Sequence, residues 1–112
     1  MGLSVISQTR LALKYVLIPV AAEKLGVSYN PTAGTVQMAF MPTPTQVPQS
    51  SDWQASSWDN YSAVDPIYPY RAKCLVGPGG AIALIPGTYT IWLKITDSPE
   101  IPADIVGQLT IS

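Results

Sequence analysis

Residues 87–97 have the sequence GTYTIWLKITD, and they carry the clearest structural signal in the chain. Apolar side chains recur at every second position from Tyr89 to Ile95, while threonine and lysine occupy most of the positions between them. This two-residue period predicts a β-strand with one buried face. Trp92 breaks the pattern, because it falls on the face that otherwise carries threonine and Lys94. We therefore expect that face either to be covered by the fold or to offer the tryptophan to a partner.

Further strands are predicted by the same alternation or by short apolar runs. They lie at residues 11–20, 35–41, 70–76, 81–85 and 105–111. Pro19 favours an edge position for the first of them, since proline cannot donate a hydrogen bond to a neighbouring strand.

Proline and glycine separate these segments. Three prolines predict an exposed, extended loop over residues 42–51, and the sequence GPGG at 77–80 predicts a hairpin turn into residues 81–85. Trp53 and Trp58 are five residues apart, so we expect a turn or bulge between them. Six or seven short strands without a helix predict one all-β domain over residues 11–112, either a sandwich or a small barrel, and we favour the sandwich.

Residues 1–10 combine small and polar residues with isolated apolar ones. This pattern suits either an arm or an edge strand that becomes ordered on docking. We assign these residues to an N-terminal arm outside the sandwich.

The composition argues against most kinds of chemistry. The chain has no histidine, which is the commonest general base and zinc ligand. Cys74 is the single cysteine, so a disulfide within the chain is excluded, and its alternation with apolar neighbours predicts a core position. The acid pairs Asp52 with Asp59 and Asp97 with Glu100 fall in predicted turns, where carboxylates cap backbone amides. We expect no enzymatic activity, no metal and no cofactor.

The charge content also limits the partners. Only 12% of the residues are charged, the net charge is −1, and the six basic residues are scattered, which predicts no nucleic-acid binding. No run of about 18 apolar residues occurs, so we expect neither a transmembrane helix nor a membrane partner. The start of the chain lacks the positive charge of a secretory signal, and we expect the protein not to be exported. A surface with so little charge suits contact with neighbouring subunits, and we expect a homo-oligomer.

The tryptophans are the strongest candidates for an interface. Trp92, Trp53 and Trp58 belong to the residue types enriched at binding hot spots, and Lys73 or Arg71 could lie beside Trp92 as a cation partner. Two alternatives remain for each ring. It could fill the core of the sandwich, or it could belong to a flat aromatic platform that binds carbohydrate.

The chain also resembles a family of small proteins encoded among the virion structural genes of tailed bacteriophages of actinobacteria. The resemblance covers residues 11–112 and rests on an ordered set of motifs. These are YVLIPV at 15–20, NPT at 30–32, VQMAF at 36–40, DW at 52–53 followed by Trp58, LVGP at 75–78, PGTYTIWLKITDSPEIP at 86–102 and GQLTI at 107–111. The resemblance implies a single immunoglobulin-like antiparallel β-sandwich of about seven short strands, without catalytic residues. It also implies a place in the virion, which assembles in the host cytoplasm.

Three functions follow as expectations. The first is a capsid decoration or cementing protein that binds the major capsid protein and stabilises the assembled head. The second is a neck, tail-tube or baseplate adaptor bound to other virion proteins. The third is a carbohydrate-binding module for host attachment.

Overall fold

The structure is a computed structural model, and it describes residues 4–20, 23–24, 27–28, 34–59, 70–96 and 103–112. The predicted connections at residues 60–69 and 97–102 lie outside these ranges. No helix in the described part of the chain is long and apolar enough to cross a membrane.

The described residues form ten β-strands and one 3-10 turn, Ser50–Asp52. The strands are β1 (Ser4–Gln8), β2 (Lys14–Val20), β3 (Glu23–Lys24), β4 (Val27–Ser28), β5 (Thr35–Met41), β6 (Gln54–Ala55), β7 (Ser57–Asp59), β8 (Tyr70–Val76), β9 (Gly87–Thr96) and β10 (Ala103–Ile111). The strands predicted at 11–20, 35–41, 70–76, 87–97 and 105–111 are confirmed, with small differences at their ends.

Two sheets pack face to face in this fold. The large sheet has the order β1-β10-β9-β5-β6, and the small sheet has the order β2-β8-β7. The chain crosses between the sheets from β1 to β2, from β2 to β5, from β6 to β7 and from β8 to β9. This connectivity and the neighbours β5-β9-β10 and β2-β8-β7 are those of an immunoglobulin domain, in which one sheet holds strands C, F and G and the other holds B, E and D. The predicted all-β sandwich is therefore confirmed, with one departure: β1 pairs parallel to β10, so the large sheet is not wholly antiparallel.

The core lies between the two sheets and receives every second side chain of the long strands. The period predicted for β9 is observed, since Tyr89, Ile91, Leu93 and Ile95 are all buried. They face the small sheet, which contributes Val16, Ile18, Val20, Ala72, Cys74 and Val76 to the same cluster. Burial of these apolar surfaces is the main favourable term in the folding free energy.

The structure shows a strand where the sequence analysis expected an N-terminal arm. Ser4–Gln8 pairs with Gly107–Ile111 along its whole length, and Gln8 is buried. The Gln8 side chain donates a hydrogen bond from Nε2 to the backbone oxygen of Val76, 3.1 Å away, which ties β1 to the small sheet. The division expected after residue 10 therefore does not separate an arm from the domain. Of the two possibilities for residues 1–10, the described part shows the edge strand.

The segment predicted as a strand at residues 81–85 is not one. It forms a single isolated bridge, in which Ile82 lies parallel to Val76, instead of a hairpin ladder. The Gly77 N–H donates to the Ile82 oxygen at 2.9 Å, and the Ala81 N–H donates to the Leu75 oxygen at 2.8 Å. The physical reason is the route of the chain, because these residues lead from β8 in the small sheet to β9 in the large sheet. A hairpin would have kept them beside β8.

The predicted turn between Trp53 and Trp58 is confirmed, and at this turn the chain passes from the large sheet to the small sheet. β6 pairs with β5 in the large sheet, whereas β7 pairs with β8 in the small sheet. The chain changes sheets at Ser56, whose N–H donates to the Val36 oxygen at 3.3 Å. The two tryptophans consequently face different parts of the molecule.

A tyrosine fixes the start of β9. The Tyr89 hydroxyl donates a 2.8 Å hydrogen bond to the backbone oxygen of Ile85, four residues earlier. Immunoglobulin-type domains carry such a tyrosine corner where the chain enters strand F, the strand that β9 represents here.

Tyr89→Phe should lower the free energy of unfolding by about 0.5–1.5 kcal/mol, because it removes this hydrogen bond and leaves the Ile85 oxygen without the donor. Tyr15→Phe is the matched control, since it removes a hydroxyl from a half-exposed ring. Urea denaturation of the three proteins measures the effect. Equal stability of Tyr89→Phe and the wild type would contradict the role assigned to the corner.

Candidate interaction surfaces

The outer face of the large sheet carries an apolar row. Strand register places Trp92 opposite Ile105 on β10 and opposite Ala39 on β5. Trp53 directly precedes β6, and continuing the antiparallel register of β6 by one residue would bring it alongside Ala39 on the same face. Ala39 is fully buried although it points away from the core, which is consistent with a small side chain lying between two tryptophans. We call Ile105, Trp92, Ala39 and Trp53 the aromatic row.

Trp92 thus occupies the outer position that its sequence predicted. It is partly exposed and does not belong to the core cluster between the sheets. Its indole Nε1, however, is buried and has no hydrogen-bond partner among the described residues. The indole therefore contributes apolar surface to this face rather than a polar group that a ligand could bind.

Trp53 has a cationic neighbour. The Lys94 Nζ lies 4.5 Å from the centroid of the Trp53 ring, within the range of a cation–π contact. The residue that pairs with a candidate tryptophan is therefore Lys94, which the sequence interpretation did not select. The sequence did contain a signal for Lys94, because residues 92 and 94 share one face of a strand and Lys94 therefore lies on the face that carries Trp92.

Trp58 is held within the fold. Its ring packs against the core cluster, and its Nε1 donates a 2.9 Å hydrogen bond to the Gly34 oxygen. These contacts favour the core alternative for this tryptophan. Sequence alone could not separate it from Trp53, because the chain changes sheets between them.

Lys73 and Arg71 lie on the other side of the molecule. Their outward positions on β8 place them on the outer face of the small sheet, so neither can lie beside Trp92 as the sequence interpretation suggested. Asp59 on β7 accepts hydrogen bonds from Arg71, with Nε at 2.8 Å, and its Oδ1 lies 3.7 Å from the Lys73 Nζ. Lys73 also lies 4.8 Å from the centroid of the Tyr15 ring.

This ionic cluster shifts the titration of its acid. The hydrogen bond from Arg71 lowers the pKa of Asp59 below its ordinary value of 3.8, and the charges of Arg71 and Lys73 act in the same direction, while desolvation opposes them. Asp59 thus neutralises one of the two positive charges. The small-sheet face consequently offers less unpaired polarity to a partner than its charges suggest.

Cys74 occupies the core position that its alternation predicted. It is buried, and its Sγ lies 3.8 Å from the Ala55 oxygen. Burial raises the pKa of the Cys74 thiol, a change that a hydrogen bond with Ser56 only partly offsets. A buried thiol with a raised pKa is a poor nucleophile, which fits a packing role.

One end of the sandwich exposes aliphatic side chains that the sequence interpretation missed. Leu11 is 80% exposed, Leu13 is 50% exposed and Ile85 is 76% exposed. Hydrogen bonds hold this end together, since the Arg10 N–H donates to the Ser112 oxygen at 2.8 Å and Ser112 follows Ile111, which pairs with Gly87. We call Leu11, Leu13 and Ile85 the aliphatic end.

Close backbone contacts position Leu13 at this end. A Cβ on Gly77 would lie 2.1 Å from the Ala12 oxygen, and a Cβ on Gly80 would lie 3.1 Å from the Leu13 Cδ1. Glycine at these positions therefore lets the turn at 77–80 approach residues 12–13. The sequence pattern predicts Leu11 and Leu13 to be part of a strand, whereas the structure places them in the connection before β2. The turn that contacts this connection is more than 60 residues away in the sequence, so the local pattern could not show it.

Comparison with known proteins identifies no relative of this chain. No family model, curated protein or solved structure matches the chain. The bacteriophage resemblance of its sequence remains a prediction.

A matched pair of substitutions separates the two tryptophans. Trp92→Phe and Trp58→Phe remove the same ring atoms, but Trp92→Phe also removes a buried N–H that has no described acceptor, so we expect it to cost less free energy of unfolding than Trp58→Phe. Trp58→Phe instead breaks the hydrogen bond to Gly34, and we expect a loss of about 0.5–1.5 kcal/mol or more. Chemical denaturation measures both. A larger loss for Trp92→Phe than for Trp58→Phe would contradict these assignments.

The Asp59 cluster predicts a pH dependence. Because the folded pKa is depressed, the stabilisation is fully present above the pKa of the unfolded chain, about 3.9, and is lost as the pH falls through the lower folded value. Asp59→Asn should therefore be less stable than the wild type near neutral pH, and the gap should close in strong acid. Urea denaturation between about pH 6 and about pH 2 tests this. A gap that stays constant over this interval would contradict the assignment.

Proposed function

We propose that this chain is a structural protein of a tailed-bacteriophage particle, which binds the assembled head as a decoration or cementing subunit and has no catalytic activity. The observation that carries the proposal is the aliphatic end. The family resemblance of the sequence supplies the virion context, and the immunoglobulin-like fold is compatible with it without requiring it.

The exposed leucines and isoleucine supply a driving force for docking. Burying a leucine or isoleucine side chain completely contributes about 1.5–3 kcal/mol relative to leaving it in water. Leu11, Leu13 and Ile85 are at least half exposed in the isolated chain, so most of this gain is still available to a partner. Exposed apolar side chains gathered at one end of a small domain are a common mark of an interaction site.

Charge at the same end limits what the partner can be. Arg10 and Lys14 flank the two leucines and are both exposed, and the connections at residues 9–13, 42–49 and 77–86 contain no acidic residue. The complementary surface is apolar with carboxylates at its edge. We propose that the outer surface of the assembled major capsid protein supplies it.

Binding of this kind stabilises the head by mass action. A subunit that binds the assembled lattice and not its separated subunits shifts the equilibrium toward the intact shell. The role needs no reacting group, which agrees with a buried, unreactive cysteine and with carboxylates such as Asp59 that serve ion pairs.

Copy number in purified particles tests the proposal directly. Quantitative mass spectrometry of the particles that contain this chain should find hundreds of copies per virion, as expected for a subunit repeated over a shell. About six to twelve copies would instead indicate a ring at the neck or tail, and the decoration role would be lost. Absence from the particles would overturn the virion assignment as well.

The docking end is tested by a double substitution. Leu11→Ser with Ile85→Ser should lower the occupancy of particles at least tenfold, because it removes two of the three exposed aliphatic side chains. Pro19→Ser is the control, since it replaces an exposed apolar residue at the far end of β2. Circular dichroism and thermal unfolding show that the variants are folded. Unchanged occupancy of the double variant would place the contact elsewhere on the domain.

A further inference from the structure

We infer that the outer face of the large sheet binds the same face of a second copy of this chain, forming a two-fold dimer. The inference concerns the isolated protein and does not depend on the proposed role in a virion. It starts from the position of Trp92. β9 is the third of five strands, so its outward side chains lie in the middle of the face, and the aromatic row crosses the face at that point.

The face has the size of a small, reversible interface. At ~3.3 Å per residue and ~4.8 Å between strands, the strands of the large sheet cover about 500 Å² in projection. The accessible area of a face covered with side chains exceeds its projection, and a dimer of ordinary size buries about 800 Å² per partner. Two sheets stack face to face at a distance of about 10 Å, so two copies of this face can form the interface that any pair of sandwich sheets forms.

The apolar side chains of the face extend beyond the aromatic row. Val5 on β1 points outward opposite Gln108 and is 77% exposed. Tryptophan is one of the residue types enriched at binding hot spots, and hot spots cluster near the centre of an interface. The indole of Trp92 presents apolar surface there, because its Nε1 is buried.

The charges of the face favour a second copy as the partner. The other outward positions of its long strands hold mainly threonine, serine and glutamine, such as Thr90 and Gln108. Among the described outward residues of these strands, Lys94 is the one that carries a charge. Lys94 already lies over the ring of Trp53. Each face brings one positive charge, Lys94, to such a contact, so like-charge repulsion is limited to that pair. The aliphatic end differs, because two copies meeting there would oppose Arg10 and Lys14 with the same residues.

Sedimentation velocity of the purified protein over a wide concentration range tests the dimer. We expect a monomer–dimer equilibrium for the wild type and at least a tenfold higher dissociation constant for Gln108→Glu, which places a carboxylate in each of the two opposed faces. Ser57→Glu is the matched control, because Ser57 is exposed on the outer face of the small sheet, and its dissociation constant should equal that of the wild type. Thr88→Glu, at another exposed position of the face, serves as the second variant if Gln108→Glu does not fold.

Two results would overturn the inference. A wild-type protein that stays monomeric at the highest soluble concentration excludes the dimer. A dimer that Gln108→Glu or Thr88→Glu leaves unchanged, or that Ser57→Glu weakens equally, places the interface on another surface. Neither result bears on the copy number in particles, so failure of the dimer and failure of the virion role are distinguishable.

Discussion

Packing of the inward row of β9 against the small sheet is the interaction on which the other features of the molecule depend. Tyr89, Ile91, Leu93 and Ile95 are buried, and β9 is the strand with neighbours β5 and β10 on either side. Once this row faces inward, the strict alternation of a strand turns Trp92 and Lys94 outward. A shift of one residue in the register would exchange the two sets, so the same packing that stabilises the core also builds the outer face.

The three surfaces that result differ in their chemistry. On the small sheet, Asp59 pairs with both Arg71 and Lys73, so this cluster keeps one net positive charge. The face of the large sheet is nearly neutral and carries the aromatic row. At the aliphatic end, leucine and isoleucine side chains stand beside Arg10 and Lys14. Apolar surface that remains in water is the principal source of binding energy, which is why the last two surfaces, and not the ionic one, support the proposed contacts.

Much of the fold could be predicted from local patterns, and the errors share one cause. Residues 35–41 and 70–76 form strands as predicted, because the alternation of their side chains directly reports one buried face. Residues 81–85 show a similar short apolar run but cross from one sheet to the other, and that route depends on where β9 lies. Local pattern also cannot separate an arm from an edge strand at residues 4–8, because the strand pairs with β10 at the far end of the sequence.

For the candidate sites, the sequence by itself determined which side chains share a face along one strand, and so it placed Trp92 outward and Cys74 in the core. Only the tertiary structure decided which faces and connections meet. It set Trp53 beside Lys94 and Trp58 against the core, and it placed Arg71 and Lys73 on the sheet opposite to Trp92. Alternation is a property of neighbouring residues and can be read locally. Pairing between strands, crossings between sheets and the approach of Gly77 to Ala12 join residues far apart in the chain, and they are set by the packing of the whole domain.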